Sequence, residues 1–175
     1  MLNVLFRFGK LSEPTAVSLL NVLARHNEDL LRRDSSIPLL YRSGVVYRRE
    51  TEEVWSDAAM TLKAGHEDCD ALASWRAGEL LARGAAALEA GDSGELEAKR
   101  LRLRSIDAEV MMTTRTQPGK PGMYHCIVRY RVGNEWFRDD PSARLGMFNG
   151  QVDRRVLTLW ERAGVAARAP MEIYR

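Results

Sequence analysis

The spacing of hydrophobic residues changes along the chain and predicts two kinds of element. Apolar residues recur every three or four positions after Pro14, as far as about Arg33, and again after Cys69, which predicts two amphipathic helices. Strict alternation begins at Ile106 and returns at Met123, so we expect two core strands there. Helices followed by adjacent strands indicate an α+β fold, with N-terminal helices packed on an antiparallel sheet.

Shorter segments complete this outline. Met1 to Phe8 predicts a short strand, and the apolar stretch from Leu39 to Arg49 is expected to wrap the core. A second helix is predicted from Glu52 to Leu62 with Trp55 facing inward, and a C-terminal packing helix from Val152 to Glu161.

The helix that begins at Cys69 would place a thiol at its positively polarised end. Gly65 stops the preceding helix, and Asp68 is suited to cap the new one. The helix dipole favours the thiolate, but the neighbouring carboxylates Glu67, Asp68 and Asp70 oppose it. An imidazolium close to the thiol is therefore required for activation, and the alternative is a small buried cysteine that only packs in the core.

His125 lies on the second alternating segment, and Cys126 points to the opposite face of that strand. The Gly-Asn pair at 133–134 predicts a two-residue hairpin. In that register Asp140 shares a face with His125, one diagonal step away, whereas Asp139 shares a face with Cys126. A loop of three or five residues would exchange the two aspartates, so the assignment depends on the register.

Cys69, His125 and Asp140 therefore form a candidate set of nucleophile, base and orienting carboxylate. A thiol attacks acyl carbon as the thiolate, so it needs a base beside it, and the base needs an acceptor that fixes its tautomer.

These motifs resemble the transglutaminase-like superfamily, whose core belongs to the papain-like cysteine-peptidase fold. The resemblance rests on Gly-x-x-x-Cys ending at Cys69, a strand bearing His125, and Trp136 followed closely by Asp-Pro-Ser at 140–142. It covers about residues 55–142. It implies that Cys69 is the nucleophile, His125 the base and proton donor, and Asp140 the orienting carboxylate.

The resemblance also implies an activity. Members transfer acyl groups through a thioester, so the expected function is thiol-dependent acyl transfer on a peptide or amide, most simply cysteine-peptidase-like hydrolysis of a peptide or protein substrate. No Gln lies shortly before Cys69. The backbone N–H of Cys69 or the indole of Trp55 could then supply the oxyanion donor.

A second resemblance supports a non-catalytic alternative. The general style of the chain, with Gly146-Met147 soon after the Asp-Pro-Ser motif, is similar to small transglutaminase-like proteins encoded among phage and prophage structural genes. It implies a structural or binding protein of the virion, in the capsid, neck or tail, whose partners are other virion proteins.

Length and composition set the remaining expectations. The 175 residues suit a single domain over 1–175, with 85–104 as an insertion and 143–175 as a C-terminal helix and tail. A net charge of +2 and the absence of a long apolar run indicate neither nucleic acid nor membrane as partner. We expect a soluble cytoplasmic protein, or a virion component if the gene belongs to a phage.

Neither a cofactor nor a metal is expected, because the spacing of His66, Asp68, Cys69, Asp70 and His125 matches no common zinc framework. The two cysteines, Cys69 and Cys126, form no disulfide framework, which fits a reducing compartment. If His125 meets Cys69, the alternation of the strand turns Cys126 away and excludes a bridge between them.

Overall fold

The computed structural model describes residues 3–4, 13–49, 54–84, 86–87, 106–115 and 123–147. The predicted insertion over 85–104 lies almost wholly outside the described residues, and the predicted helix from Val152 to Glu161 lies outside them entirely.

The described chain contains both helices and strands, and its three longest strands are consecutive and antiparallel, which confirms the α+β class. In order, the elements are β1 (Asn3–Val4), α1 (Glu13–Arg33), a 3₁₀ helix (Leu40–Arg42), β2 (Val46–Tyr47), β3 (Trp55–Ser56), α2 (Ala58–Ala64), β4 (His66–Glu67), α3 (Cys69–Arg83), β5 (Ile106–Arg115), β6 (Met123–Val132), β7 (Glu135–Asp139) and α4 (Pro141–Arg144). None of the described helices is both long and apolar enough to span a lipid bilayer.

Three strands form an antiparallel sheet in the order β5-β6-β7. Gly133 adopts a φ of 62° in the turn between β6 and β7, a left-handed conformation that glycine adopts without strain. The ladder pairs Val132 with Glu135 and Val128 with Asp139, so the predicted register is confirmed.

Helix α3 is the central element, packed between α1 and the sheet. Gly78 allows α1 to approach closely, because a Cβ there would lie 2.6 Å from the carbonyl oxygen of Ala24 and 2.7 Å from the Cβ of Asn27. On the sheet side, the Asn21 amide of α1 bonds both the N–H and the carbonyl of Val110, at 2.8 and 3.0 Å. These contacts hold α1, α3 and β5 as one packed unit.

Alternate residues of β5 and β6 face the core, as expected for core strands, except Tyr124 near the start of β6, which is exposed. This core cluster contains Leu20, Leu80, Ala108, Val110, Cys126, Val128 and Tyr130, among others. Truncating a fully buried leucine such as Leu20 or Leu80 would cost roughly 2–5 kcal/mol. The helix that carries Cys69 is therefore held firmly against the strand that carries His125.

One predicted boundary is wrong. The second helix begins at Ala58 rather than Glu52, because Asp57 caps it by accepting a 2.9 Å hydrogen bond from the Met60 N–H. Trp55 is buried as predicted, but it lies in β3, which pairs with β1.

Candidate active site

Cys69 is the first residue of α3, as predicted. Asp68 is the N-cap, and its carboxylate accepts a hydrogen bond of 3.4 Å from the Asp70 N–H. The Cys69 side chain is partly buried and packs against the main core cluster. The helix start thus brings the thiol to the end of the core, with part of its surface still exposed.

His125 and Asp140 form a hydrogen-bonded pair. The imidazole Nε2 of His125 lies 2.8 Å from Oδ2 of Asp140. The other oxygen of Asp140 accepts a 3.0 Å hydrogen bond from the Ala143 N–H, because Asp140 is the N-cap of α4. The carboxylate is thus held by the helix cap and in turn holds the ring, so β7 and α4 together set the orientation of His125.

The second ring nitrogen of His125, Nδ1, is left for the thiol. It is buried and makes no well-aligned hydrogen bond. Cys69 nevertheless lies near enough for the thiol and the imidazole to interact and to shift each other's pKa. Loosely aligned contacts of this kind are common in substrate-free sites and tighten during reaction. The structure thus brings all three predicted side chains together.

The pKa of the Cys69 thiol is lowered to about 5. The largest cause is a hydrogen bond donated by the Cys126 thiol, which burial of the sulfur opposes. A hydrogen bond from His125, another from the Cys126 N–H, and the positive charge of the imidazolium lower it further. All of these donors act on the thiolate and favour the charged form.

The pKa of His125 moves in the opposite direction, to about 9. Burial lowers it, but the hydrogen bonds to Asp140 and Cys69 and the two negative charges outweigh burial. Between about pH 5 and about pH 9 the pair is consequently a thiolate beside an imidazolium. That charge state is the one that a cysteine nucleophile requires.

Cys126 also lies beside Cys69, and the expectation that the strand turns it away is wrong. The sulfur of Cys69 accepts hydrogen bonds from both the side chain and the backbone N–H of Cys126. The thiol therefore approaches the edge of β6 rather than one of its faces. The ladder with β7 ends at Val128 and Asp139, so β7 does not pair with β6 at Cys126. Neighbouring side chains from opposite faces can both reach a group at such an edge. Both cysteines are free thiols.

A buried ionic cluster, which sequence reasoning missed, lies next to the site. Arg76 of α3 donates a 2.8 Å hydrogen bond to Asp139, and it also pairs with Glu79 and with the Ala87 carbonyl. Arg76 and Glu79 are 1% and 0% exposed. Their signal was present in the sequence as the two charges within residues 71–82 of α3, a stretch that is otherwise uncharged. The cluster fixes α3 to Asp139, the residue directly before Asp140.

Within the described residues, no group of three or more His, Cys, Asp or Glu side chains is arranged to hold a metal ion. Trp55 belongs to the core cluster against which Cys69 packs. The oxyanion donor, either the Cys69 backbone N–H or the Trp55 indole, stays a prediction.

Comparison with known proteins adds no relative. No family model, no curated protein and no solved structure matches the chain.

Proposed function

We propose that this protein catalyses thiol-dependent acyl transfer on a peptide or amide, in the simplest case its hydrolysis, through Cys69, His125 and Asp140. The observation that carries the proposal is the chain of contacts from a helix-terminal thiol to His125, whose far nitrogen lies 2.8 Å from Asp140. Three residues separated by up to 71 positions (140 − 69) meet in the order that cysteine acyl transfer needs.

The roles follow from the charge state of the pair. The Cys69 thiolate adds to the carbonyl carbon of the substrate and forms a C–S bond. The His125 imidazolium gives its proton to the departing amine as the C–N bond breaks, which leaves a thioester on Cys69. Neutral His125 then takes a proton from water, whose oxygen attacks the thioester and releases the acid. If an amine attacks instead, the same thioester yields a new amide.

Asp140 acts on the imidazole in both half-reactions. Its bond to Nε2 directs the other nitrogen, Nδ1, toward the thiol, and its charge stabilises the imidazolium that each step consumes or forms. Because the cap of α4 holds Asp140, the ring keeps its orientation when its charge changes.

We also propose that the fold is a papain-like core of the transglutaminase-like type. The order of the functional elements supports it: a nucleophile at the start of a packed helix, a base on the middle strand of an antiparallel sheet, and a carboxylate directly after the next strand. A likeness to virion proteins has no further support in the described contacts.

The test is acylation of Cys69 at about pH 6, where an unperturbed thiol with a pKa of ~8.5 is almost wholly protonated. We expect p-nitrophenyl acetate to give a stoichiometric burst of p-nitrophenol, an acetyl group on Cys69 by peptide mapping, and then slow turnover. Cys69→Ala should abolish the burst, and His125→Ala should abolish turnover. A panel of peptidyl aminocoumarin amides then identifies the acyl donor.

The non-catalytic alternative predicts a different result. A purely structural or binding protein would show an inert Cys69, with a burst no larger than that of the Cys69→Ala variant. That outcome would refute the enzymatic proposal and favour a binding role on the same fold.

A further inference from the structure

Cys126 neither attacks the substrate nor transfers a proton in the proposed acyl transfer, yet its thiol contacts the proposed nucleophile. We propose that Cys69 and Cys126 form a hydroperoxide-reactive pair, in which Cys69 is oxidised to a sulfenic acid and Cys126 converts it to a reversible intramolecular disulfide. This inference needs no acyl substrate and stands independently of the proposed function.

Cys69 packs against the core cluster that contains Cys126, and the two thiols are close enough to interact through a hydrogen bond. Cys126 donates its S–H to the sulfur of Cys69, and its backbone N–H donates to the same atom. Both residues are free thiols, with Cys69 partly exposed and Cys126 only 3% exposed. A peroxide can therefore reach Cys69 from solvent, whereas Cys126 is accessible mainly to Cys69. Closing a disulfide requires the sulfurs to move from hydrogen-bond contact to ~2.05 Å.

The first step consumes one peroxide. The Cys69 thiolate attacks one peroxide oxygen, an S–O bond forms, and the O–O bond breaks. The leaving hydroxide takes the proton of the neighbouring His125 imidazolium and departs as water. Cys69 is thereby oxidised by two electrons, the peroxide is reduced by two electrons, and His125 is left neutral.

The second step uses Cys126. Its sulfur attacks the sulfenic sulfur of Cys69, the S–S bond forms and the S–O bond breaks. The S–H proton passes to neutral His125 and from there to the departing hydroxide, which leaves as water, so His125 is neutral again at the end of the step. An external dithiol restores both thiols, so the oxidised state is reversible.

The surroundings of Cys126 keep its thiol protonated until Cys69 has been oxidised. Its hydrogen bond to Cys69, its burial, and the negative charges of Cys69, Asp70 and Asp68 raise its pKa. Oxidation of Cys69 to the neutral sulfenic acid removes the first of these causes and one of the charges. Cys126 is thus held protonated while Cys69 is a thiolate and becomes easier to ionise once Cys69 is oxidised.

The test treats the reduced full-length protein with a small excess of hydrogen peroxide at about pH 7, where an unperturbed thiol is mostly protonated. Intact mass and peptide mapping should show the loss of two hydrogen atoms, a peptide linked through Cys69 and Cys126, and full reversal by dithiothreitol. In the matched Cys126→Ser variant, dimedone should trap the sulfenic acid on Cys69, and without dimedone Cys69 should proceed at least about tenfold faster to the irreversible sulfinic acid.

Two results would overturn the inference. One is accumulation of sulfinic acid on Cys69 in the unaltered protein as fast as in Cys126→Ser, and the other is a disulfide that joins two chains instead of one. The mass and the peptide map of the oxidised unaltered protein test the inference even if Cys126→Ser does not fold. Because the readout is the mass of the protein, it is also independent of whether any acyl donor is found.

Discussion

Two clusters of charged groups connect α3 to the end of the sheet, and they differ in whether a member is exposed to solvent. In the middle of α3, Arg76 bonds Asp139 and Glu79, and the second oxygen of Glu79 accepts the Leu40 N–H at 2.5 Å. At the start of the same helix, Cys69 is partly exposed and Nδ1 of His125 makes no well-aligned hydrogen bond.

The Arg76 cluster is structural, whereas the cluster of Cys69 and His125 is reactive. Arg76 is enclosed, with its guanidinium stacked 4.6 Å from the centre of the Tyr41 ring. Cys69 keeps capacity for a substrate, since part of its side chain is exposed. Enclosed ion pairs stabilise a fold, whereas an activated thiolate next to solvent permits chemistry.

The two clusters are joined through consecutive residues. Asp139 belongs to the Arg76 cluster and Asp140 belongs to the site, so a single peptide bond links the two clusters. The alternation of β7 sends Asp139 inward to α3, and the following residue turns toward His125. The structural cluster thereby sets the position of the carboxylate that orients the base.

Arg76→Met is expected to have the largest effect, a loss of about 3–5 kcal/mol in the free energy of unfolding. It removes the buried cation that Asp139 and Glu79 share, although Arg144 stays 3.2 Å from the other oxygen of Asp139. Urea unfolding measures the loss. The matched control is Arg25→Met, whose ion pair with Glu28 is exposed on α1 and should contribute at most ~1 kcal/mol. Equal losses in both variants would contradict the distinction between the clusters.

His125→Ala should have the next largest effect, on ionisation rather than on stability. The imidazolium supplies both a hydrogen bond and a positive charge to the Cys69 thiolate, whose pKa is about 5. Because this pKa is lowered, Cys69 is a thiolate above about pH 5 and becomes protonated as the pH falls through that value. Without the imidazolium we expect the midpoint to rise by about 2 to 3 pH units, toward the ordinary ~8.5.

Iodoacetamide alkylation of Cys69 from about pH 4 to 9 measures that midpoint against the ordinary value of ~8.5. Peptide mapping separates Cys69 from Cys126, and Cys69→Ala provides the background. An unaltered protein whose profile already has its midpoint near that ordinary value would remove the basis of the proposed mechanism.

Cys126→Ala should shift the same profile upward by a smaller amount, because the Cys126 thiol supplies a hydrogen bond without a charge, whereas the imidazolium supplies both. A hydrogen bond to a charged group contributes roughly 1.5–3 kcal/mol, which corresponds to about 1 to 2 pH units. The backbone N–H of residue 126 remains, so part of the donor set is retained. An unchanged midpoint would show that the Cys126 thiol does not stabilise the thiolate and would weaken the case for a paired site.

Asp140→Asn should have the smallest effect on stability, less than ~1 kcal/mol above about pH 9, where His125 is neutral and only the helix cap is changed, because Asn caps helices about as well as Asp. At lower pH the loss should grow, because the folded state no longer binds the His125 proton as tightly. The pKa of His125, about 9 in the intact site, should fall because the negative charge on its Nε2 side is lost. NMR titration of the imidazole reads that change, and thermal unfolding reads the stability. A large loss of stability with an unchanged histidine titration would assign Asp140 to the fold alone.

Much of the site was determined by the sequence, because its features are local. A capping aspartate before an apolar stripe starts α3 at Cys69 through neighbouring backbone groups. A two-residue turn with alternating flanks sets the ladder of β6 and β7, which places Asp140 with His125. Such signals act within a few residues or across one hairpin and can therefore be read directly from the chain.

Only the tertiary structure decided that Cys126 meets Cys69 and that Arg76 is buried against Asp139. Alternation assigns each side chain to a face of a strand, but it does not say whether a helix arrives over a face or against an edge. That choice depends on where β7 stops pairing and on how closely α1 and α3 pack at Gly78. It is a property of packing among distant segments, and no local pattern encodes it.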